Sequence, residues 1–195
     1  MLHSDPEMLG DPSLARVKVL YTIHNLAYQG LFDVEEGERI GVPKNLFQPA
    51  ALEFWGRLNL MKGGIVFSDA ISTVSRRYAE EIQMREYGCG LEGVLAGVRD
   101  RLHGILNGID TYAWNPATDP HLPAHFSARD TSGKAACKAS LQKETGLPVR
   151  ADVPLVGIIS RLDKQKGFDL IARILDDLLA RDVQLVLLGT GAPEY

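Results

Sequence analysis

The residues with the strongest claim on chemistry are Arg161 and Lys166, in the run SRLDKQKG at 160–167. That run joins a short apolar, β-branched segment at 154–160 (PLVGIIS) to a segment at 168–180 with Phe168, Ile171, Leu175 and Leu178 at helical spacing. In open α/β sheets, ligands bind at the carboxyl ends of strands. A helix that starts there offers unpaired N–H groups and a partial positive charge. Arg161 and Lys166 add two full charges, and Gly167 lets backbone approach a ligand closely. Together these make an anion site, with a diphosphate as its natural occupant. A solvated basic loop would contain the same residues, so the spacing alone leaves both readings open.

Two further runs follow strand-like segments. HNLAYQG at 24–30 comes directly after VKVLYTI at 17–23, which puts His24 at a strand's carboxyl end. A lone histidine there either meets a ligand or is a satisfied structural residue. Asn25 can support the turn and Gly30 can take a positive φ. LNGID at 106–110 follows a strand expected over 103–106 and runs on to Trp114-Asn115-Pro116. Asn-Gly is first a turn signal; the alternative is Asn107 facing a sugar hydroxyl. Other patterns lead nowhere. His121 and His125 have Pro123 between them, which spoils a helical metal face. Gly189-Thr190-Gly191 follows a strand without the third glycine of a dinucleotide loop. GxSxG and Walker A motifs are absent.

The elements that must position these runs alternate. Strands are expected at 17–23, 70–74, 103–106, 154–160 and 184–188. Helices are expected at 50–61 (Leu52, Trp55, Leu58 and Met61 on one face), from the N-cap Ser75 to 84, at 91–101, at 134–145 with Gly146 as the stop, and at 168–180. Strand, helix and strand over 154–188 form a βαβ unit, hence a parallel sheet. Residues 110–130, rich in Pro, Asp, Ala and His, read as a linker between two α/β domains. One βαβ unit cannot cover both faces of its own sheet, so the second half is expected to be incomplete. The net charge of −4 argues against nucleic acid, which calls for a basic patch. No apolar run approaches the ~20 residues of a membrane span. Residues 1–16 lack a signal peptide's apolar core. Cys89 and Cys137 stand far apart with no CxxC, which suits a reducing compartment and packing roles. A cytoplasmic protein is the expectation.

Taken in order, HNLAYQG, the TVS run with Tyr78, GLEGVL at 90–95, LNGID with WNP and Asp119, and SRLDKQKG resemble bacterial glycogen synthases and plant starch synthases. The resemblance covers nearly everything from Val17 to Gly191. It implies an α/β fold of the GT-B type, with two Rossmann-like domains, both incomplete here. Residues 1–109 would be the later part of the first domain, 110–130 the linker region and 131–195 the start of the nucleotide-binding domain. It implies transfer of glucose from ADP-glucose to the 4-hydroxyl at the non-reducing end of an α-1,4-glucan, with retention, no metal and no cofactor. By the same resemblance Arg161 and Lys166 hold the donor phosphates with Gly167, His24 contacts the transferred glucose near its 6-hydroxyl, and Asn107 faces the sugar. The family's lysine-containing glycine-rich loop and its late glutamate motif have no counterpart in these residues, so the chain alone is expected to be inactive. A GT-B enzyme using UDP- or GDP-sugars, and a non-catalytic glucan- or nucleotide-binding protein, are the competing expectations.

Overall fold

The computed structural model describes Leu14, residues 16–191 and Pro193; most of the polar opening stretch lies outside the described residues. The chain divides into two compact units, Met1–Gly108 and Ile109–Tyr195.

The first unit is built on a parallel sheet of three strands, β1 (Leu20–Ile23), β5 (Ala70–Thr73) and β6 (Leu102–Gly104), in the order β1-β5-β6. Period-2 alternation decides its faces. Ile23, Ile71 and Leu102 are buried, whereas Leu20 on the opposite face is 60% exposed. The buried face packs with Leu26, Met61, Ile65, Ile82, Leu91 and Leu95 into the main core. Helices α2 (Leu60–Phe67), α3 (Arg76–Glu81) and α4 (Glu92–Gly97) supply most of those partners. Ser75 caps α3 as expected, its hydroxyl accepting the Tyr78 N–H at 2.9 Å. The helix expected over 91–101 is shorter. It gives way after Gly97 to a 3₁₀ turn at Arg99–Arg101, with Leu91 and Leu95 fully buried.

The helix expected over 50–61 is not there. The segment is a hairpin of β3 (Glu53–Phe54) and β4 (Arg57–Asn59), which also pairs with β2 (Leu31–Phe32), giving an antiparallel sheet in the order β2-β4-β3. Its two-residue turn puts Trp55 at φ 52° and Gly56 at φ 79°. Positive φ at both positions is the turn whose twist matches paired strands. For Trp55 that conformation costs about 1–2 kcal/mol, which the pairing offsets. Leu52 and Leu58 do share a side, yet they bury themselves in a second cluster with Leu46 and Ala51. Helix α2 starts only at Leu60, because the Asn59 side chain caps it by accepting the Lys62 N–H at 2.9 Å. Helix α1 (Val34–Arg39), in a stretch with no expected element, packs against β4.

In the second unit, residues 110–130 hold turns and no regular element. Helix α5 (Gly133–Glu144) ends before Gly146. Strand β7 (Leu155–Ile159), helix α6 (Phe168–Leu179) and strand β8 (Gln184–Leu188) form the expected βαβ unit, β7 and β8 pairing in parallel from Leu155↔Gln184 to Ile159↔Leu188. Phe168 is buried, and Ile171, Leu175 and Leu178 are half-buried along one stripe of α6. Among the described residues no helix is long and apolar enough to cross a membrane.

Candidate functional site

The expected site residues fall into two sets, one in each unit. In the second unit, β7 runs into Ser160 and Arg161, and the chain does not pass straight into α6. A 3₁₀ turn at Lys164–Lys166 intervenes, and the Asp163 carboxylate caps it by accepting the Gln165 N–H at 2.8 Å. Gly167, at φ 76°, then turns the chain into α6. This is a left-handed position that an L side chain occupies only under strain. Arg161, Lys164 and Lys166 are all exposed, and among the described residues no ion pair engages Arg161 or Lys166. The loop thus presents three cations, with the one carboxylate between them turned to backbone capping.

What fixes the loop lies in the other strand, and the motif did not reveal it. The β7–β8 register continues past both strands. Ser160 N–H donates to Leu188 O at 3.1 Å, Leu162 N–H donates to Thr190 O at 2.9 Å, and Leu162 bridges Gly191. A Cβ on Gly189 would sit 2.0 Å from Ser160 O, and one on Gly191 would sit 2.1 Å from Leu162 O. The two glycines of GTG are there because the backbone carrying Arg161 lies against them. The absence of side chains, readable in the sequence as a glycine pair after a strand, was the available signal.

In the first unit, His24 and Asn107 lie beyond the carboxyl ends of β1 and β6, on one edge of one sheet. With β5 between them, the strand ends are two spacings apart, roughly 10 Å. The Thr73 hydroxyl donates to Ile23 O at 2.8 Å, fixing the end of β1 immediately before His24. The His24 ring is exposed, and among the described residues no hydrogen bond engages it. The loop after it is anchored closely. The Asn25 side chain accepts the Ala27 N–H at 3.0 Å, the Leu26 N–H donates to the Tyr78 hydroxyl at 3.0 Å, and Leu26 itself is buried. Gln29 ends the loop on a buried polar pair. Asn59 Nδ2 donates to Gln29 Oε1 at 2.6 Å, and Gln29 Nε2 donates to Cys89 O at 3.0 Å. An exposed side chain on an anchored loop is what ligand contact requires.

Asn107 is exposed too, but Asn107-Gly108 makes no turn. The chain stays alongside β5 as far as Ile105, whose N–H donates to Thr73 O at 2.8 Å. The turn comes at Asp110, whose carboxylate accepts the N–H groups of Tyr112 at 3.0 Å and Ala113 at 2.9 Å. Among the described residues no three His, Cys, Asp or Glu side chains come together as a metal site, and His125 Nε2 pairs with the Asp119 carbonyl at 3.1 Å. The free thiols are Cys89, which is exposed, and Cys137.

Comparison with known proteins gives these features a context. Residues 7–97 match the family described as the starch synthase catalytic domain. A glycogen synthase of Anaeromyxobacter dehalogenans strain 2CP-C is 55% identical over 185 residues, 95% of this chain and 39% of that protein. Glycogen synthase 2 of Geobacter sulfurreducens is 51% identical over 189 residues, 97% of this chain and 39% of that protein. Among solved structures, the catalytic domain of starch synthase IV from Arabidopsis thaliana bound to ADP and acarbose superposes with a TM-score of 0.86 and 40% identity. The match covers 93% of this chain and 38% of that one. The chain therefore spans about 39% of the length of the curated relatives it matches.

Proposed function

The chain belongs to the family of bacterial glycogen synthases and plant starch synthases, with an α/β fold of the GT-B type, and from that premise we propose that it forms part of a retaining glucosyltransferase. The donor is ADP-glucose and the acceptor is the non-reducing end of an α-1,4-glucan. The bond from C1 of glucose to the diphosphate breaks, a bond from C1 to the acceptor's 4-oxygen forms, and the hydroxyl proton leaves. Such transfers pass through an oxocarbenium-like state while negative charge gathers on the departing ADP.

Arg161 and Lys166 are assigned to that charge, with Gly167 allowing the phosphates to approach backbone. Charges already in place where an anion develops stabilise the transition state without reorganising. The observation that carries this reading is the Arg161–Gly167 loop itself, with its exposed cations free of described ion pairs and its backbone fixed against Gly189 and Gly191. His24 is assigned to the transferred glucose near its 6-hydroxyl and Asn107 to the sugar, both from the carboxyl edge of the first unit's sheet. In domain terms, we assign 1–109 to the later part of the N-terminal Rossmann-like domain, 110–130 to the linker and 131–195 to the start of the C-terminal nucleotide-binding domain, working in the cytoplasm without a metal.

The test is a chimera that carries residues 17–191 in place of the matching segment of a full-length glycogen synthase. ADP release in the presence of glycogen is expected with ADP-glucose and much less with UDP-glucose. A chimera that folds and releases nucleotide only from UDP-glucose would overturn the donor assignment. One that folds and transfers from neither would overturn the enzymatic reading.

A further inference from the structure

Trp55 is 85% exposed, adds nothing to either core, and sits in a left-handed conformation at φ 52°. Such outliers persist where the surroundings over-determine them, and they gather at ligand clamps. The turn would be served better by Asn-Gly, so turn chemistry does not explain the indole. Its surroundings hold it in place: Phe54, packed against the main core, meets it edge to face at 6.2 Å between ring centroids and 72° between planes.

Beside this pair lies a cavity of about 260 Å³ lined by Glu53, Phe54, Trp55, Lys62, Gly90 and Val94. That lies just under the range of pockets for drug-sized ligands, which suits one ring. A Cβ on Gly90 would come within 2.9 Å of Phe54 Cζ and 3.8 Å of Trp55 Nε1. Glycine there keeps the space beside the aromatic pair open. Two charged groups border the same space. Glu53 Oε1 accepts the Gly56 N–H at 2.8 Å, which leaves the second carboxylate oxygen for other donors. The buried Lys62 ammonium donates to Pro49 O at 2.7 Å and Glu53 O at 2.5 Å. An ammonium has three donors.

We propose that this cavity is a subsite for one glucosyl unit of an α-glucan. A pyranose ring carries C–H groups on its faces and hydroxyls around its rim. The faces match an exposed indole backed by a phenyl ring, and the rim matches a carboxylate acceptor and an ammonium donor. The cavity also adjoins the His24 loop, since Gln29, at the end of that loop, donates to the carbonyl of Cys89, the residue before Gly90. The subsite rests on the glucan-acceptor reading above and gives it a second point of attachment within the first unit.

The 195-residue chain is tested by its retardation in gels containing glycogen and by titration with maltoheptaose. W55N installs Asn-Gly in the turn and so preserves the hairpin. It is expected to lose glycogen retardation at least tenfold with an unchanged circular dichroism spectrum. W114F leaves Trp55 as the only indole, and its emission is expected to shift with maltoheptaose and not with ADP. Retardation of W55N equal to the parent, a silent W114F emission, or a response to ADP alone would overturn the subsite. An inactive chimera beside a chain that still binds maltoheptaose through Trp55 would sink the transferase reading and leave the subsite standing. An active chimera whose W55N form keeps full glycogen affinity would sink the subsite alone.

Discussion

Gly191→Ala is expected to unsettle the second unit and Arg161 with it, by an amount that follows from the backbone geometry. The new Cβ would lie 2.1 Å from Leu162 O and 2.7 Å from both Leu162 C and Leu162 Cα. No side-chain rotation relieves a clash with backbone, so the two strand extensions must part. Overpacking of this kind costs roughly 1–3 kcal/mol. Parting also endangers the hydrogen bond from Leu162 N–H to Thr190 O, 2.9 Å long, which contributes about 1 kcal/mol. The total is ~2–4 kcal/mol. A domain of this size loses about 4–8 °C of melting temperature per kcal/mol, so the unit's transition should fall by about 8 °C or more. The control is Gly157→Ala in β7, where a Cβ meets nothing within 4 Å; the melt should hold or rise slightly. Calorimetry on the chain and its two variants measures both. If Gly191→Ala melts within about 2 °C of the parent, the glycine pair does not fix the Arg161 loop by close approach.

Three other results are expected. In the chimera, Arg161→Ala and Lys166→Ala should each lower turnover by ~10²–10³; a rate above a tenth of the parent for both would remove them from the diphosphate. His24→Ala should leave the melting temperature within about 4 °C, since exposed substitutions change stability by about 0.5 kcal/mol or less, while glucosyl transfer falls; a lower melt with transfer intact would make His24 structural. Arg150, donating to Asp152 Oδ2 at 2.8 Å, holds the Asp152 carboxyl below its ordinary pKa. The Ser132 backbone N–H does the same for Asp130. A depressed folded-state pKa contributes stability that is present above the unfolded value, ~3.9, and lost as pH falls through the folded one. Acid unfolding followed by circular dichroism should therefore be less steep for Asp152→Asn, and an identical acid limb would refute that.

The parallel strands and the two long helices α5 and α6 were legible because burial leaves a mark in composition. VKVLYTI, AIST, LVGII and QLVLL are short apolar runs between loop residues, and each is a parallel strand at or within its expected span. The stripe of Phe168, Ile171, Leu175 and Leu178 turned inward as read. Residues 50–61 misled because Leu52, Trp55 and Leu58 are spaced three apart like a helical stripe, whereas Trp55 stands exposed in the hairpin turn and only Leu52 and Leu58 join the second cluster. The deciding features were local. Gly56 serves a positive-φ turn, and Arg57-Leu58-Asn59 alternates with period 2. Asn59 then caps a helix that begins after it. Antiparallel pairing with β2 at Leu31↔Asn59 supplied the rest, and no window of sequence contains it.

For the candidate site, the sequence could say which residues stand at the carboxyl ends of strands, since that follows from strand order within a βα unit. His24 after β1 and Arg161 after β7 stand where that logic puts them. It could not say what holds them. Thr73 fixes the end of β1 from 50 residues away, Tyr78 holds Leu26 from 52 away, and Gln29 reaches Cys89 across 60. Each of these supports is a single polar group or a missing side chain in an element chosen for other reasons, so it leaves no periodicity behind. The exposed residues proposed for the chemistry are recognisable by their own identity, which is why a motif finds them. The residues that hold them are recognisable only by their contacts, and Gly189, Gly191 and Gln29 are therefore the positions where substitution most directly tests whether His24 and Arg161 act from a fixed frame.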